Sequence, residues 1–180
     1  MALPQTTTHQ DRLLTVNIGD VPGSPGGVSL TPLFFDRENG LWVLYGKFAP
    51  GTVLPTHFHT GVVHFFTTKG RWNYAEYPQD PQTEGSYLFE PAGSVHTFIV
   101  PADASEAAEG FMVVHGANVN FLDGVYQDVT DAGSLEEAFA AAAKAGLMPG
   151  LRYIRPGPGG ADLVTVDSAA KPELLAEPVG

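Results

Sequence analysis

The sequence predicts an all-β protein, a sandwich or barrel of short strands with one helix set outside it. Three observations predict this. Short apolar runs recur along the chain, 21 Gly and 15 Pro supply turns between them, and a single segment carries helical signals. A fold of alternating strands and helices would need several such segments. At 180 residues the chain is long enough for one well-buried core, so one domain is expected.

The elements follow in order. Residues 1–12 are polar and read as a disordered arm, and Leu13 to Ile18 alternate as a strand with one buried face should. A linker from Gly19 to Gly27 carries Pro22 and Pro25 and breaks regular structure. Leu33 to Asp36 and Leu41 to Phe48 flank Asn39-Gly40, a pair that supplies positive φ in a tight turn, and so form an antiparallel hairpin. Further strands are expected over Val62–Thr68, Arg71–Tyr77, Ser86–Phe89, Val95–Val100, Gly110–Gly116 and Val119–Val129, the last interrupted at Asp123-Gly124. The helix is placed over Ser134–Ala145: Ser134 and Glu137 match a capping box, alanines follow, and Gly146 stops it. Leu135 and Phe139 are its packing residues. From Arg155 onward, Pro156 to Gly160 and a polar tail read as an extended arm. The expected divisions are an arm and first strand over 1–27, a barrel over 28–130, and a helix with extended tail over 131–180.

Composition removes several function classes. Nine Lys plus Arg against 20 Asp plus Glu give a formal charge of −11, which repels phosphate backbones and anionic lipid, so neither nucleic acid nor membrane is an expected partner. The amino terminus lacks the apolar run of a secretory signal, and the default expectation is a cytoplasmic protein. The absence of cysteine rules out disulfides, thiolate zinc sites and thiol nucleophiles together, leaving imidazole and carboxylate as metal ligands.

Four of the six histidines fall between residues 57 and 96. His57 and His59 are two apart on a predicted strand, so both imidazoles point to one face and can converge on one ion. His64 opens the next strand after the Thr60-Gly61 turn signal, and His96 comes from a separate strand after the rigid Glu90-Pro91-Ala92-Gly93 turn. Burying several imidazoles together leaves unpaired polar atoms, a cost that a shared metal removes. Nitrogen ligands without thiolate suit Fe(II), Mn, Ni, Cu or Zn. His9, in the polar arm, and His115, continuing the alternation of Phe111 and Val113, read as ordinary histidines.

These residues resemble the cupin superfamily. Its first motif is similar to Gly51, His57, His59, His64 and Gly70, and its second to Gly85, Pro91, Gly93, His96 and Val100. All spacings agree except that five residues, not six, separate His64 from Gly70; Val100 stands where an asparagine is usual. The resemblance implies a jelly-roll β-barrel with a metal inside its mouth, and cupins commonly pair as homodimers. His64 replaces the family's glutamate ligand, so the implied metal set is His57, His59, His96 and, as a fourth candidate, His64. Such a site resembles that of the 2,4'-dihydroxyacetophenone and acetylacetone-cleaving dioxygenases. That likeness implies Fe(II), a small ketone or diketone substrate and O2. A metal-dependent isomerase or lyase and a non-catalytic metal-binding cupin, like the cupin half of certain anti-sigma factors, are the alternatives.

Two further catalytic candidates come with it. Glu90 lies six residues before His96, where diketone-cleaving cupins also carry a glutamate near the metal; it either orients a bound water or substrate or is a solvated carboxylate at a strand end. Arg71 either pairs with Glu90 across the mouth or caps a surface strand. Strand parity separates Arg71 and Asn73 from Trp72 and Tyr74 without saying which pair faces inward. Trp42, Phe66 and Phe98 are candidate pocket walls.

Overall fold

Asn39-Gly40 does close a hairpin. In the computed structural model, which describes residues 13–157 and 160–168, β1 (Val28–Asp36) turns back into β2 (Leu41–Phe48), with Gly40 at a φ of 65°. The strands continue as β3 (Thr56–His59), β4 (Val63–Lys69), β5 (Arg71–Tyr74), β6 (Gln82–Thr83), β7 (Tyr87–Glu90), β8 (Val95–His96), β9 (Phe98–Ile99) and β10 (Ala108–His115). Next come β11 (Asn118–Leu122) and β12 (Val125–Thr130), whose turn places both Asp123 and Gly124 at positive φ, as a tight two-residue hairpin requires. Helix α1 (Ala132–Lys144) precedes a last hairpin, β13 (Leu151–Gly157) and β14 (Gly160–Val166).

These strands make a large sheet ordered β14-β13-β1-β2-β10-β4-β7, with smaller sheets β12-β11-β3-β8 and β6-β5-β9 forming the opposite wall. Alternation along β2 turns Trp42, Leu44 and Phe48 into the interior. One core cluster joins Phe35, Trp42, Leu44, Val114 and Tyr153 to Phe139 of α1. A second joins Phe48, Phe65, Trp72, Phe98 and Val100, with Trp72 and Phe98 stacked at 4.6 Å. Each such fully buried side chain contributes about 1.5–3 kcal/mol.

Three expectations are corrected. The stretch Leu13 to Ile18 alternates between exposed and half-buried residues as expected, but it joins no ladder; the Asn17 side chain accepts from Gly19 N and opens a 3-10 turn at Ile18–Asp20 instead. The helix starts earlier: Asp131 is the N-cap, and Ser134 is the reciprocal partner of that capping box, not the cap. The expected arm beyond Arg155 is, as far as residue 168, the β13–β14 hairpin, bonded to the sheet through a parallel pairing of β1 with β13 that sets Phe34 opposite Ile154. Alternation of Leu151 and Tyr153 inward supplies the apolar face that holds it there. The expectations for residues 1–12 and for the tail beyond 168 lie outside the described residues. None of the described helices is long and apolar enough to cross a membrane.

Candidate metal centre

The centre is built on strand parity. His57 and His59 alternate with half-buried Thr56 and Phe58 on β3, so both imidazoles enter the barrel. β8 pairs antiparallel with β3 and sets His96 directly opposite His57. One nitrogen from each of the three lies within 4.8 Å of the others, and all three residues are buried. Ring centroids separate by 5.0 Å for His57–His59, 4.7 Å for His57–His96 and 5.4 Å for His59–His96.

Neighbouring groups hold the rings. His57 Nδ1 lies 2.8 Å from the carbonyl of Pro55; donating there fixes the proton on Nδ1 and leaves Nε2 with a free lone pair. The loop from Glu90 to β8 is locked by Gly93 N donating to His59 O at 2.8 Å and Ser94 Oγ donating to Pro91 O at 2.8 Å. Gly93 sits at a φ of 81°, which a side chain would strain. After His96, the backbone N and hydroxyl of Thr97 both donate to Glu76, each at 2.9 Å.

Glu90 belongs to this centre. Its buried carboxylate places Oε2 3.1 Å from His59 Nε2 and 3.4 Å from His96 Nε2. Oε1 accepts from the hydroxyl of Tyr74. Even so, Glu90 Oε2, His96 Nε2 and His59 Nδ1 lack an aligned hydrogen-bond partner. Buried atoms of this kind carry a desolvation cost unless something coordinates them, and a cation between imidazole nitrogens and a carboxylate would remove it. The residues therefore fit a divalent metal.

Electrostatics favour the protonation states a metal needs. Burial pushes the His96 imidazole down to about 4, and burial likewise lowers His57, so both rings are neutral at pH 7. Burial alone would raise Glu90, but the close approach of His59 Nε2, the nearby His96 and the Tyr74 hydroxyl outweigh it and hold the carboxyl below its ordinary value. Burial, then the Glu90 charge, pushes Tyr74 well above the usual phenol range, keeping it a donor.

Two of the sequence candidates lie elsewhere. His64 does not join the cluster: its neighbours Val63 and Phe65 point into the barrel, so parity turns His64 to the outer face, where Nδ1 meets the Tyr87 hydroxyl at 2.8 Å. Arg71 does not reach Glu90; it is half-exposed and paired with Asp103 at 3.5 Å, because Trp72 and Tyr74 are the inward pair of β5. Phe66 also faces outward, whereas Trp42 and Phe98 do line the interior. Tyr74 is the residue that sequence reasoning left open; the buried Trp72 two positions earlier was the signal for its parity.

Beside the histidines lies a cavity of about 140 Å³. Trp42, Leu44, Phe65, Met112 and Val114 form its walls, and its polar groups are His57, His59, Tyr74, Glu90, Asn118 and Thr130. No Lys or Arg is among its lining residues. An outer groove shares Leu54, His57, Asn118 and Thr130 with it, so the β11–β12 hairpin stands at the barrel mouth.

A two-walled β-barrel with histidines from β3 and β8 converging inside its mouth defines a cupin. The chain belongs to the ChrR Cupin-like domain family, which matches residues 10–119. Among solved structures, a cupin-like protein of unknown function from Ralstonia eutropha JMP134 is 43% identical, with 83% of this chain and 95% of that one covered and a TM-score of 0.78. An RmlC-like cupin from the same organism is 23% identical over 73% and 87% of the two chains, with a TM-score of 0.69. An acetylacetone dioxygenase from Acinetobacter johnsonii is 20% identical over 72% and 91%, with a TM-score of 0.61. No curated protein sequence matches the chain.

Proposed function

We propose that the protein is a non-haem Fe(II) dioxygenase that cleaves a carbon–carbon bond in a small, uncharged diketone. The observation that carries this reading is the junction of three buried imidazoles with a small apolar cavity that has no cationic wall. His57, His59 and His96 would hold the metal. When bound, Fe(II) supplies Lewis acidity toward the dicarbonyl and an electron route to O2.

The chain's residues supply the rest. Three neutral imidazoles and the single carboxylate of Glu90 would leave a divalent ion a net positive charge, which favours a substrate that binds as an enolate. Glu90, ionised and held by Tyr74, would accept the proton that such a substrate loses. The apolar walls bind the substituents and exclude water. An apolar cavity of roughly 150 Å³ accommodates a benzene-sized guest, so the volume here favours a short aliphatic diketone over an aryl ketone. The absence of an Arg or Lys anchor disfavours carboxylate substrates. The likeness in fold to an acetylacetone dioxygenase supports the same reading.

The test is an oxygen-electrode assay of protein loaded anaerobically with Fe(II), across pentane-2,4-dione homologues and hydroxyacetophenones. Oxygen uptake matching diketone loss, with both oxygen atoms in the products, is expected. A metal-loaded protein that consumes no oxygen with any of them would refute the assignment, and turnover without oxygen would point to isomerase or lyase chemistry.

A further inference from the structure

The inner face of the sheet β12-β11-β3-β8 carries two polar rows that run outward from the histidines. Residues directly opposite in an antiparallel ladder share a face. His59 therefore faces inward with Asn118 of β11, and Asn118 with Thr130 of β12. The neighbouring row is His96, His57, Asn120 and Asp128. Asn118 and Thr130 line both the inner cavity and an outer groove of about 400 Å³, so the two spaces meet at this pair.

The two asparagines differ in what they hold. Asn120 is spent on the sheet: its Nδ2 donates to Asp128 at 2.6 Å and to Thr130 at 3.0 Å. Asn118 Oδ1 is buried with no hydrogen-bond partner among the described residues. An unpaired buried amide oxygen carries a desolvation cost that an isosteric leucine avoids. Leu54, which lines both spaces as well, carries none. Thr130 is complementary to Asn118, because its oxygen accepts from Asn120 and its hydroxyl hydrogen is left free to donate. An acceptor and a donor on directly opposed residues fit one group that both donates and accepts.

We infer that Asn118 and Thr130 recognise a hydroxyl group on the substrate, carried on a neutral extension that passes from the inner cavity into the outer groove. The head of that substrate is the dicarbonyl of the proposed function, on which this assignment of the tail rests. Charge sets the tail's class. No Lys or Arg is among the groove's lining residues, and Asp128, its one ionised side chain, already accepts from Asn120. A carboxylate tail would meet repulsion from Asp128 and from the chain's net charge of −11 with no counter-charge in reach. A hydroxyl that donates to Asn118 Oδ1 and accepts from Thr130 Oγ1 satisfies both residues. An analogue lacking it leaves both unpaired, the arrangement by which a site rejects an otherwise similar molecule.

The test is calorimetric titration of Zn(II)-loaded protein, which supports no oxygen chemistry, with N-(2-hydroxyethyl)acetoacetamide and N-propylacetoacetamide. The two share a 1,3-dicarbonyl head and differ only by hydroxyl against methyl. Wild type is expected to bind the hydroxylated probe about 10-fold more tightly. Asn118→Leu and, independently, Thr130→Val should each bring the ratio to within about 2-fold, with metal content and circular dichroism unchanged. Equal affinities in wild type overturn the inference, as when Asn118 holds only a water molecule. So do a preference that survives both substitutions and binding of neither probe. The dioxygenase reading fails separately: oxygen uptake with pentane-2,4-dione beside equal affinities spares it, and a hydroxyl preference without oxygen uptake removes it alone.

Discussion

Tyr74 lies against the imidazole of His96, ring centroids 4.2 Å apart and planes within 26°, while its hydroxyl donates to Glu90. One side chain thus sets both a ring of the histidine cluster and the carboxylate beside it. Tyr74→Phe keeps the stacking and frees Glu90. The expected outcome is unchanged metal content with kcat reduced about 10- to 100-fold, the usual cost of losing a group that orients the centre. Steady-state kinetics with metal analysis checks it; a fall in metal content would show that the hydroxyl serves retention instead.

The histidines divide by strand parity, and metal binding should divide with them. His57→Ala and His96→Ala are expected to weaken Fe(II) or Zn(II) binding by more than about 100-fold, beyond the loss typical of an outer partner. His64→Ala is expected to leave it unchanged. Metal stoichiometry after gel filtration separates the two outcomes.

Acid should destabilise the metal-free protein over a defined window. Burial holds His96 at about 4 against an ordinary 6.5, so between those values the unfolded chain binds a proton that the folded chain refuses. Stability is therefore full above about pH 6.5 and lost as pH falls toward 4. Glu90, with a lowered pKa, is lost in the same direction but only below its ordinary 4.5. Urea midpoints between pH 7 and 4.5 should decline in wild type, and the decline should be shallower in His96→Gln.

Far from the histidine cluster, Glu136 is buried within α1, accepting from Tyr153 Oη at 2.7 Å and from Arg155 Nη1 at 3.2 Å. This carboxylate pins the helix to the β13–β14 hairpin. Glu136→Ala strands the buried Tyr153 hydroxyl and should cost about 1–3 kcal/mol. Denaturant titration reads the loss, and Glu136→Gln should recover part of it.

Much of this was legible in residues because periodicity is local. His57 and His59 share a face by spacing alone, Asn39-Gly40 closes its hairpin by backbone preference, the interruption at Asp123-Gly124 is a second hairpin turn, and His96 does come from a separate strand, which the structure sets opposite His57. What escaped depended on knowing which parity is inward. His64 sits where the motif carries a ligand, yet Val63 and Phe65 take the interior positions on β4 and turn it out. Arg71 and Tyr74 exchanged expected importance for the same reason on β5. The β13–β14 hairpin was hidden by Pro156 and the glycines around it, which mark a break locally and a hairpin turn only when β1 offers an edge.

That edge has a consequence for synthesis. β1 emerges from the ribosome early, but its parallel neighbour β13 begins at Leu151, so one side of β1 waits for more than a hundred further residues. During that interval Phe34 and its backbone groups are open to another nascent chain. Translation pauses before Leu151, or stop codons there, should send the product into inclusion bodies, while co-expressed 151–166 peptide should rescue part of it.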